Sequence, residues 1–196
     1  MKQLLLARHG ESEYSARRLV NGDPGVSCPL TENGREQARA LGRALAQEQI
    51  DLCAVTEFER VGETAQLALA GRDTPFIVVP ELNDPRYGEF EGGSLAVYLE
   101  WIVGRGPLDA PPGGEHRSDI VSRYAAGFRR LLDRPEETVL LVAHSLPIAY
   151  LRNAAAGKPP SSKMAQVEYA TVLRFEREDL ERALGVLEAW IASPAF

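Results

Sequence analysis

Two short apolar runs constrain the fold of this chain more than any other feature, and a histidine directly follows or closely follows each run. The first is QLLLA at residues 3–7, which precedes Arg8 and His9, and the second is TVLLVA at residues 138–143, which precedes His144. Short, continuous apolar runs of this kind are typical of strands buried inside a sheet. The chain is therefore expected to build its core around at least two buried strands.

The segments between and around these runs alternate between strand and helix patterns. Further strands are predicted over 51–55 and 76–79, with an edge or antiparallel strand over 166–175. Helices are predicted from an N-cap at Thr31 to about 48, and over 59–70, 95–103, 118–132 and 147–156, whereas 184–190 is ambiguous. This alternation predicts an α/β fold with three α/β/α layers and a mostly parallel central sheet. The length of 196 residues predicts one domain over 1–196.

The placement of the two histidines predicts where a ligand would bind. Parallel sheets of this class bind ligands beyond the carboxyl ends of their strands. His9 and His144 both follow predicted strands, so we expect them to share that edge of the sheet. A buried strand gains nothing from the cationic side chain of Arg8 at its tip, whereas a site for an anion could use it.

Charge and composition exclude several classes of protein. The net charge of −6 argues against general nucleic-acid binding, which needs a basic face. No apolar stretch is long enough to span a membrane, and the N-terminal apolar run is too short for an export signal. Cys28 and Cys53 form neither a metal-binding pair nor a disulfide framework, so a cytoplasmic protein is the default expectation.

Six motifs, in this order along the chain, resemble the histidine phosphatase superfamily, the phosphoglycerate mutase-like group. They are LLLARHGES at 4–12, PLTENGREQA at 29–38, ERVGETA at 59–65, LNDPRYGEFEG at 82–92, PGGE at 112–115 and VLLVAHS at 139–145. The resemblance covers most of the chain. It implies the phosphoglycerate mutase-like fold and a histidine acid-type phosphatase, a phosphoric monoester hydrolase that needs neither metal nor cofactor.

The resemblance implies a role for each matching residue. His9 would attack the phosphoryl group and hold it as phosphohistidine, with its other ring nitrogen held by a backbone carbonyl near Gly10. Arg8, Arg60 and His144 would bind the phosphate oxygens, because phosphoryl transfer chiefly requires positioning and charge stabilisation. The hydroxyls of Ser15 and Ser145 are further candidates for phosphate contact.

The leaving alkoxide needs a proton, and the resemblance assigns that task to Asp84, which lies four residues before Gly88. Glu89 and Glu91 are rival donors in the same stretch. A carboxylic acid donates poorly near neutral pH unless its pKa is raised, and a nearby phosphate dianion would raise it.

Some residues in these motifs also have an interpretation that involves no catalysis. Arg60 has Glu57, Glu59 and Glu63 nearby, so a surface ion pair on a helix is an alternative. The pattern L-T-x-x-G at 30–34 is interpreted only as a helix start. Glu115 is interpreted as a loop or cap organiser, whereas His116 is either exposed and uninvolved or close to the substrate.

A rival motif overlaps the second histidine. A strand followed by H-S resembles the nucleophile elbow of α/β-hydrolases, which would make Ser145 a nucleophile. The glycines that permit the elbow are replaced by Ala143 and Pro147, and no histidine follows His144 in the chain. The order of the residues therefore disfavours an esterase.

Within the superfamily, the sequence favours hydrolysis over a mutase reaction. Mutases of this group carry an inserted segment rich in Arg and Pro, and the stretch 92–113 contains none. Ser15 stands where the family usually has Asn, and Asp84 where many members have Glu. Two alternatives therefore stay open, mutase-type phosphoryl transfer and a non-catalytic protein that binds phosphorylated ligands.

The substrate is expected to be a small-molecule phosphate ester. Candidate contacts beyond the phosphate, which could suit a second anionic group, are Arg17, Arg86, Arg105, Arg117 and Arg123. Solvated surface arginine is the alternative for each of them. Pairing of edge strands could also make a homodimer.

Overall fold

The computed structural model describes residues 1–196, which form a five-stranded sheet between two layers of helices. The strands are β1 (Gln3–Arg8), β2 (Leu52–Val55), β3 (Phe76–Val78), β4 (Thr138–Ala143) and β5 (Leu173–Glu176), in the spatial order β3-β2-β4-β1-β5. All neighbouring pairs are parallel except β1 with β5, which is antiparallel. The predicted mostly parallel sheet is confirmed.

Seven helices surround the sheet. They are α1 (Glu13–Ala16), α2 (Glu32–Ala44), α3 (Glu59–Ala68), α4 (Leu95–Trp101), α5 (Arg117–Leu132), α6 (Ser145–Ala155) and α7 (Arg177–Ala192), with 3-10 turns at Pro80–Leu82 and Gly88–Phe90. Thr31 is the N-cap of α2, as predicted, and its hydroxyl accepts a hydrogen bond from the backbone N–H of Gly34. None of these helices has the length and apolar character that crossing a membrane would need.

Alternation along the buried strands creates two separate cores. Leu4 and Leu6 of β1 point into a cluster that includes residues of α5, α6 and α7. Leu5 and Ala7 point the other way, into a cluster that includes residues of α2 and α3. Because successive side chains of a strand lie on opposite faces, one apolar run covers both cores. This confirms the predicted three-layer arrangement.

The predicted strand over 166–175 is wrong for most of its length. Leu173–Glu176 forms the antiparallel strand at the edge, and within the rest of the segment only Tyr169 forms an isolated bridge, with Arg8. Ala170 has a left-handed backbone with φ of 48°, which breaks any strand there. The residues before β5 instead pass beyond the carboxyl end of β1, where Arg8 and Ser145 bind their backbone. The ambiguous segment 184–190 lies within α7.

The sheet order brings the two histidines together. Strands β1 and β4 are neighbours in register, with Arg8 opposite Ala143. The backbone N–H of His9 donates to the carbonyl of Ala143 at 2.9 Å, and His144 is the next residue along the chain. Their rings contact edge to face, with centroids 5.4 Å apart. The expected shared edge is confirmed.

Candidate active site

His9 is held in one tautomer by its own loop. Its Nδ1 lies 2.6 Å from the carbonyl oxygen of Gly10, which can only accept, so Nδ1 carries the proton. Nε2 is then unprotonated, and its lone pair accepts a hydrogen bond from Arg60 Nε at 3.2 Å. The side chain is buried yet lines a cavity of about 600 Å³. His9 therefore presents an oriented, unprotonated nitrogen to the cavity.

The charge state of His9 follows from its surroundings. Burial, followed by the positive charges of Arg60 and Arg8, holds the pKa of His9 well below its usual range. The imidazole is therefore neutral near pH 7. Nearby cations keep the nitrogen nucleophilic and also attract an anion to the same place.

Arg60 connects the residues of the site. From α3, its Nη1 donates to Asn21 Oδ1 at 2.6 Å, and its Nη2 lies 3.2 Å from Asp84 Oδ2. The guanidinium also packs on the Phe58 ring, with its central carbon 4.2 Å from the ring centroid. The alternative of a surface ion pair is wrong for Arg60. The nearby glutamates have other partners: Glu57 with Asn83, Glu59 with Ser27 and Cys28, and Glu63 with Leu30 and Arg35.

Arg8 is fixed from the other side of the cavity. Its Nη1 donates to the carbonyl of Val167 at 2.7 Å, and its guanidinium stacks 3.8 Å from the centroid of the Tyr169 ring. The side chain is buried without a carboxylate within ion-pair distance, and its Nε has no hydrogen-bond partner. A buried cation with only neutral partners is suited to bind an anion.

His144 is completely buried beside the same group of residues. Its Nε2 lies 2.9 Å from the hydroxyl of Thr56, and its Nδ1 lies 3.3 Å from Arg60 Nη2 and 3.4 Å from Asp84 Oδ2. Burial and the nearby arginines hold the pKa of His144 well below its usual range. Like His9, it is therefore neutral near pH 7.

Asp84 is the acidic residue that the structure places among these groups. Burial raises the pKa of Asp84, against the opposing effect of Arg60, Arg8 and Arg123. Its rivals lie elsewhere: Glu91 accepts from the backbone N–H groups of Gly22 and Tyr87, and Glu89 is exposed. Neither glutamate lines the cavity.

The two serines line the cavity with their hydroxyls already engaged. Ser15 Oγ donates to the carbonyl of Ser12 at 2.9 Å and accepts from the N–H of Ser12, which caps α1. Ser145 Oγ accepts from the N–H of Val167 at 2.9 Å and keeps its own proton free to donate. Of the two, Ser145 has the donor that a phosphate could use without breaking a cap.

The L-T-x-x-G pattern does more than start a helix, which corrects that interpretation. A Cβ atom at Gly34 would lie 2.0 Å from the carbonyl oxygen of Glu11, and one at Gly10 would lie 2.4 Å from the carbonyl oxygen of Gly34. The backbone of the first turn of α2 is thus in direct contact with the backbone of the loop that carries His9. The N–H of Gly10 also donates to Thr64 Oγ1 at 3.0 Å, which ties that loop to α3.

Sequence reasoning missed four polar or aromatic neighbours of the site: Asn21, Thr56, Thr64 and Tyr169. Thr64 could have been found, because it lies four residues after Arg60 and so on the same face of α3. The other three come from loops, where no periodicity shows which side chain points inward.

Of the five arginines suggested for contacts beyond the phosphate, only Arg117 lines the cavity. Arg123 is held by Glu115 and by three backbone carbonyls, and Arg105 stacks on Trp101. Arg17 and Arg86 are exposed. Glu115 also accepts from the N–H of Arg86, which confirms its interpretation as a loop organiser.

Two further expectations concern the third histidine and metals. His116 is exposed, lies 2.9 Å from Asp119 and does not line the cavity, so it is uninvolved in the site. No group of three or more His, Cys, Asp or Glu side chains is arranged to hold a metal ion.

Comparisons with known proteins point in the same direction as this geometry. The sequence model of the histidine phosphatase superfamily (branch 1) matches residues 4–188. The chain is 31% identical over 192 residues to the 2,3-bisphosphoglycerate-dependent phosphoglycerate mutase 2 of Gloeobacter violaceus, covering 91% of this chain and 87% of that one. It is 40% identical over 89 residues to the adenosylcobalamin/alpha-ribazole phosphatase of Salmonella typhimurium, covering 45% of this chain and 43% of that one.

A solved structure extends the similarity to the whole fold. The protein YhfR of Bacillus stearothermophilus superposes with a TM-score of 0.78 at 27% identity, and the match covers 90% of this chain and 91% of that one. The predicted phosphoglycerate mutase-like architecture is confirmed.

Proposed function

This chain belongs to the histidine phosphatase superfamily (branch 1), and on that basis we propose that it is a metal-independent phosphomonoester hydrolase acting through a phosphohistidine at His9. One observation carries the proposal. The lone pair of His9 Nε2 faces a cavity that also holds Arg8, Arg60 and the raised-pKa carboxyl of Asp84. The expectation of a histidine acid-type phosphatase is wrong, because that name belongs to a different family from the one that matches this chain.

In the first step, His9 Nε2 attacks phosphorus while the phosphorus–oxygen bond of the ester breaks. Arg8 and Arg60 line the cavity, where their N–H donors would stabilise charge on the three other oxygens of the transferred group. His144 is buried beside Arg60 and Asp84 and is proposed as a further donor to those oxygens. The leaving alkoxide takes the proton of Asp84 and departs as an alcohol. A dianionic phosphate would raise the pKa of Asp84 further, so that the acid is protonated when the ester is bound.

In the second step, water attacks the phosphohistidine. The Asp84 carboxylate now accepts a proton from that water, the phosphorus–nitrogen bond breaks, and His9 returns to its neutral form. Phosphate leaves and the cycle balances without a metal or a cofactor. Ser145 is proposed as an additional donor to the phosphate, and Ser15 as a contact only if its cap rearranges.

Mutase-type phosphoryl transfer is the second candidate, because the mutase relative aligns over 91% of this chain. A mutase must keep water from the phosphohistidine while it exchanges two esters. The stretch 92–113 lacks the Arg- and Pro-rich insertion of such enzymes, which favours hydrolysis. A non-catalytic phosphate-binding protein is disfavoured, because binding alone does not need the oriented lone pair of His9.

Several broader features are part of the same proposal. We propose that residues 1–196 act as one histidine phosphatase domain on a small-molecule phosphate ester. The cytoplasmic location and the homodimer stay predictions. Neither nucleic acid nor membrane is proposed as a partner.

The test is phosphate release from a panel of phosphomonoesters, with EDTA present throughout. The panel includes the phosphate of α-ribazole, because the Salmonella relative is named for that compound. We expect the wild type to release phosphate, His9→Ala to release none, and His116→Ala to match the wild type. His116 is the matched control because it is exposed and outside the cavity.

Two results would contradict the proposed mechanism. Phosphate release that survives His9→Ala would show that His9 is not the nucleophile, and strong inhibition by EDTA would show that hydrolysis needs a metal. A silent wild type that becomes active on phosphoglycerate after addition of bisphosphoglycerate would establish the mutase instead.

A further inference from the structure

Arg117 is a buried cation that no carboxylate of the protein neutralises. Its side chain is part of a residue only 9% exposed, and its single hydrogen bond runs from Nη1 to the hydroxyl of Tyr150 at 3.0 Å. The acidic residues on either side in sequence have other partners, since Glu115 pairs with Arg123 and Asp119 with His116. Burying a charge without a counter-charge is costly, and the neutral hydroxyl of Tyr150 offsets only part of that cost.

The position of Arg117 in its helix adds to that cost. It is the first residue of α5, a helix of 16 residues, where the aligned peptide dipoles favour a negative side chain and disfavour a cation. A cation that is buried, unpaired and at the positive end of a helix has no evident role in stability. An anionic group on a ligand would supply the counter-charge that the protein does not provide.

Arg117 is one of the residues that line the active-site cavity. Its guanidinium bonds to no carboxylate or carbonyl of the protein, and its polar neighbours are the hydroxyls of Tyr150 and Tyr98, which are uncharged near pH 7. Arg117 lines the same cavity of about 600 Å³ as His9, a volume typical of sites for small molecules. A ligand bound at His9 therefore occupies the same continuous cavity that Arg117 lines.

The charges of the whole cavity fit a ligand with more than one anionic group. Asp84 is its one acidic lining residue, whereas its cationic lining residues are Arg8, Arg18, Arg60, Arg117 and Lys163. Arg8 and Arg60 flank His9 and serve the transferred phosphate. Arg117 lies outside that group, with no contact to His9, Arg60 or Asp84 within hydrogen-bond distance.

We propose that Arg117 forms a second anion subsite, which binds a carboxylate or a second phosphate on the leaving group of the substrate. This inference rests on the proposed function for the site of the transferred phosphate. It narrows the substrate class to phosphate esters that carry another anionic group, and it makes Arg117 a residue that determines specificity.

The test uses alkylphosphonates, which bind like phosphate esters and have no ester bond to hydrolyse. One series carries a terminal carboxylate, a second a terminal phosphonate, and a third the uncharged terminal carboxamide, each over a range of chain lengths. Calorimetry gives the Kd of every compound for the wild type, Arg117→Met, Arg117→Lys and the control Arg105→Met. Arg105 is a suitable control, because it is exposed, stacks on Trp101 and does not line the cavity.

At the best chain length, we expect the wild type and Arg105→Met to bind one of the anionic compounds about tenfold or more tightly than its carboxamide. Arg117→Met should bring that ratio close to one while carboxamide binding stays the same, which also shows that the variant folds. Arg117→Lys should keep part of the preference. The better of the carboxylate and phosphonate series identifies the second group.

Equal binding of charged and uncharged compounds by the wild type at every chain length would overturn the subsite. A preference that persists in Arg117→Met would also overturn it. Because these compounds are not hydrolysed, their outcome is separate from that of the phosphate-release assay. A protein that shows the preference but releases no phosphate would refute the hydrolase and keep the subsite.

Discussion

At the scale of single residues, burial shifts the pKa of the histidine nucleophile and that of the acid in the directions that the proposed reaction needs. Burial and neighbouring arginines lower the pKa of His9, which keeps its Nε2 unprotonated. Burial raises the pKa of Asp84, which favours the protonated acid. One poorly solvated cavity thus favours a neutral nucleophile and a neutral acid together, because both charged forms are penalised.

Replacement of Asp84 by Asn tests the donor role. Alkyl phosphates have poor leaving groups and need the proton, so we expect their kcat/KM to fall by about 10²–10⁴-fold. Aryl phosphates need little protonation and should lose far less. The measurement compares both ester types in the wild type and in Asp84→Asn. Equal losses on both ester types would show that Asp84 is not the proton donor. The variant Glu91→Gln tests the rival donor Glu91 in the same assay.

The sequence could predict the charged residues of the site because motif and strand ends point to them. Arg8, His9 and His144 lie at strand ends, and Arg60 lies on an early turn of a helix. Asn21 and Thr56 could not be predicted, because loop backbones place them and no sequence period marks them. The engagement of Ser15 in the cap of α1 depends on a short helix that hydrophobic periodicity does not reveal.

At the scale of elements, two strand ends and one helix start build the site. The parallel register of β1 and β4 places His9 and His144 side by side. The first turn of α2 supports the loop after β1 through backbone contact at Gly34. A side chain has no room there, so that contact fixes where His9 lies relative to α3.

Gly34→Ala tests this support. The added methyl would lie 2.0 Å from the carbonyl oxygen of Glu11, so the helix or the catalytic loop must move. We expect the free energy of unfolding to fall by about 1–3 kcal/mol and kcat to fall with it. Urea denaturation and the phosphate-release assay measure the two effects.

Gly62→Ala is the matched control. Gly62 lies in α3, and a Cβ atom added there would have no neighbouring atom within 4 Å. It should raise the free energy of unfolding by about 0.5–1 kcal/mol, since alanine favours a helix over glycine, and leave kcat unchanged. If Gly34→Ala behaved like Gly62→Ala, the contact between α2 and the catalytic loop would be unimportant.

Elements with strong periodicity could be predicted from the sequence, whereas those set by tertiary contacts could not. The boundaries of β4 match the apolar run at 138–143, and the structure buries almost the whole run. The alternation at 166–172 predicted a strand, but two hydrogen bonds hold that segment at the cavity instead. Arg8 donates to the carbonyl of Val167, and the N–H of Val167 donates to Ser145 Oγ.

At the scale of the whole molecule, an acidic protein holds a basic cavity. The net charge is −6, yet five cationic side chains and one carboxylate line the cavity. Arg8, Arg60 and Arg117 were candidates from the sequence, and all three line the cavity. Arg18 and Lys163 were not, because loops place them there and no sequence period marks them.

The buried histidines also predict how stability depends on pH. The unfolded chain binds protons at histidine with a pKa of about 6.5, whereas His9 and His144 resist protonation in the folded state. The unfolded state therefore binds more protons as the pH falls below about 6.5, and stability is lost on acidification. Asp84, whose pKa is raised, contributes with the opposite sign at lower pH.

Urea denaturation of the wild type and His144→Gln at about pH 7.5 and about pH 5.5 measures this effect on either side of the histidine pKa. We expect the wild type to lose more stability between the two values than His144→Gln does. His116→Ala should behave like the wild type, because His116 is exposed. Equal losses in wild type and His144→Gln would contradict the assignment of a buried neutral imidazole at this position.

The proposed reaction forms a covalent phosphohistidine at His9, and trapping that intermediate is its most direct test. The wild type would be mixed with an aryl phosphate in EDTA, quenched in alkali, where phosphohistidine survives, and digested for mass spectrometry. We expect a phosphoryl group on His9 of the wild type and of His116→Ala, and none in His9→Ala. Turnover without a phosphorylated His9, or a phosphoryl group on another residue, would contradict it.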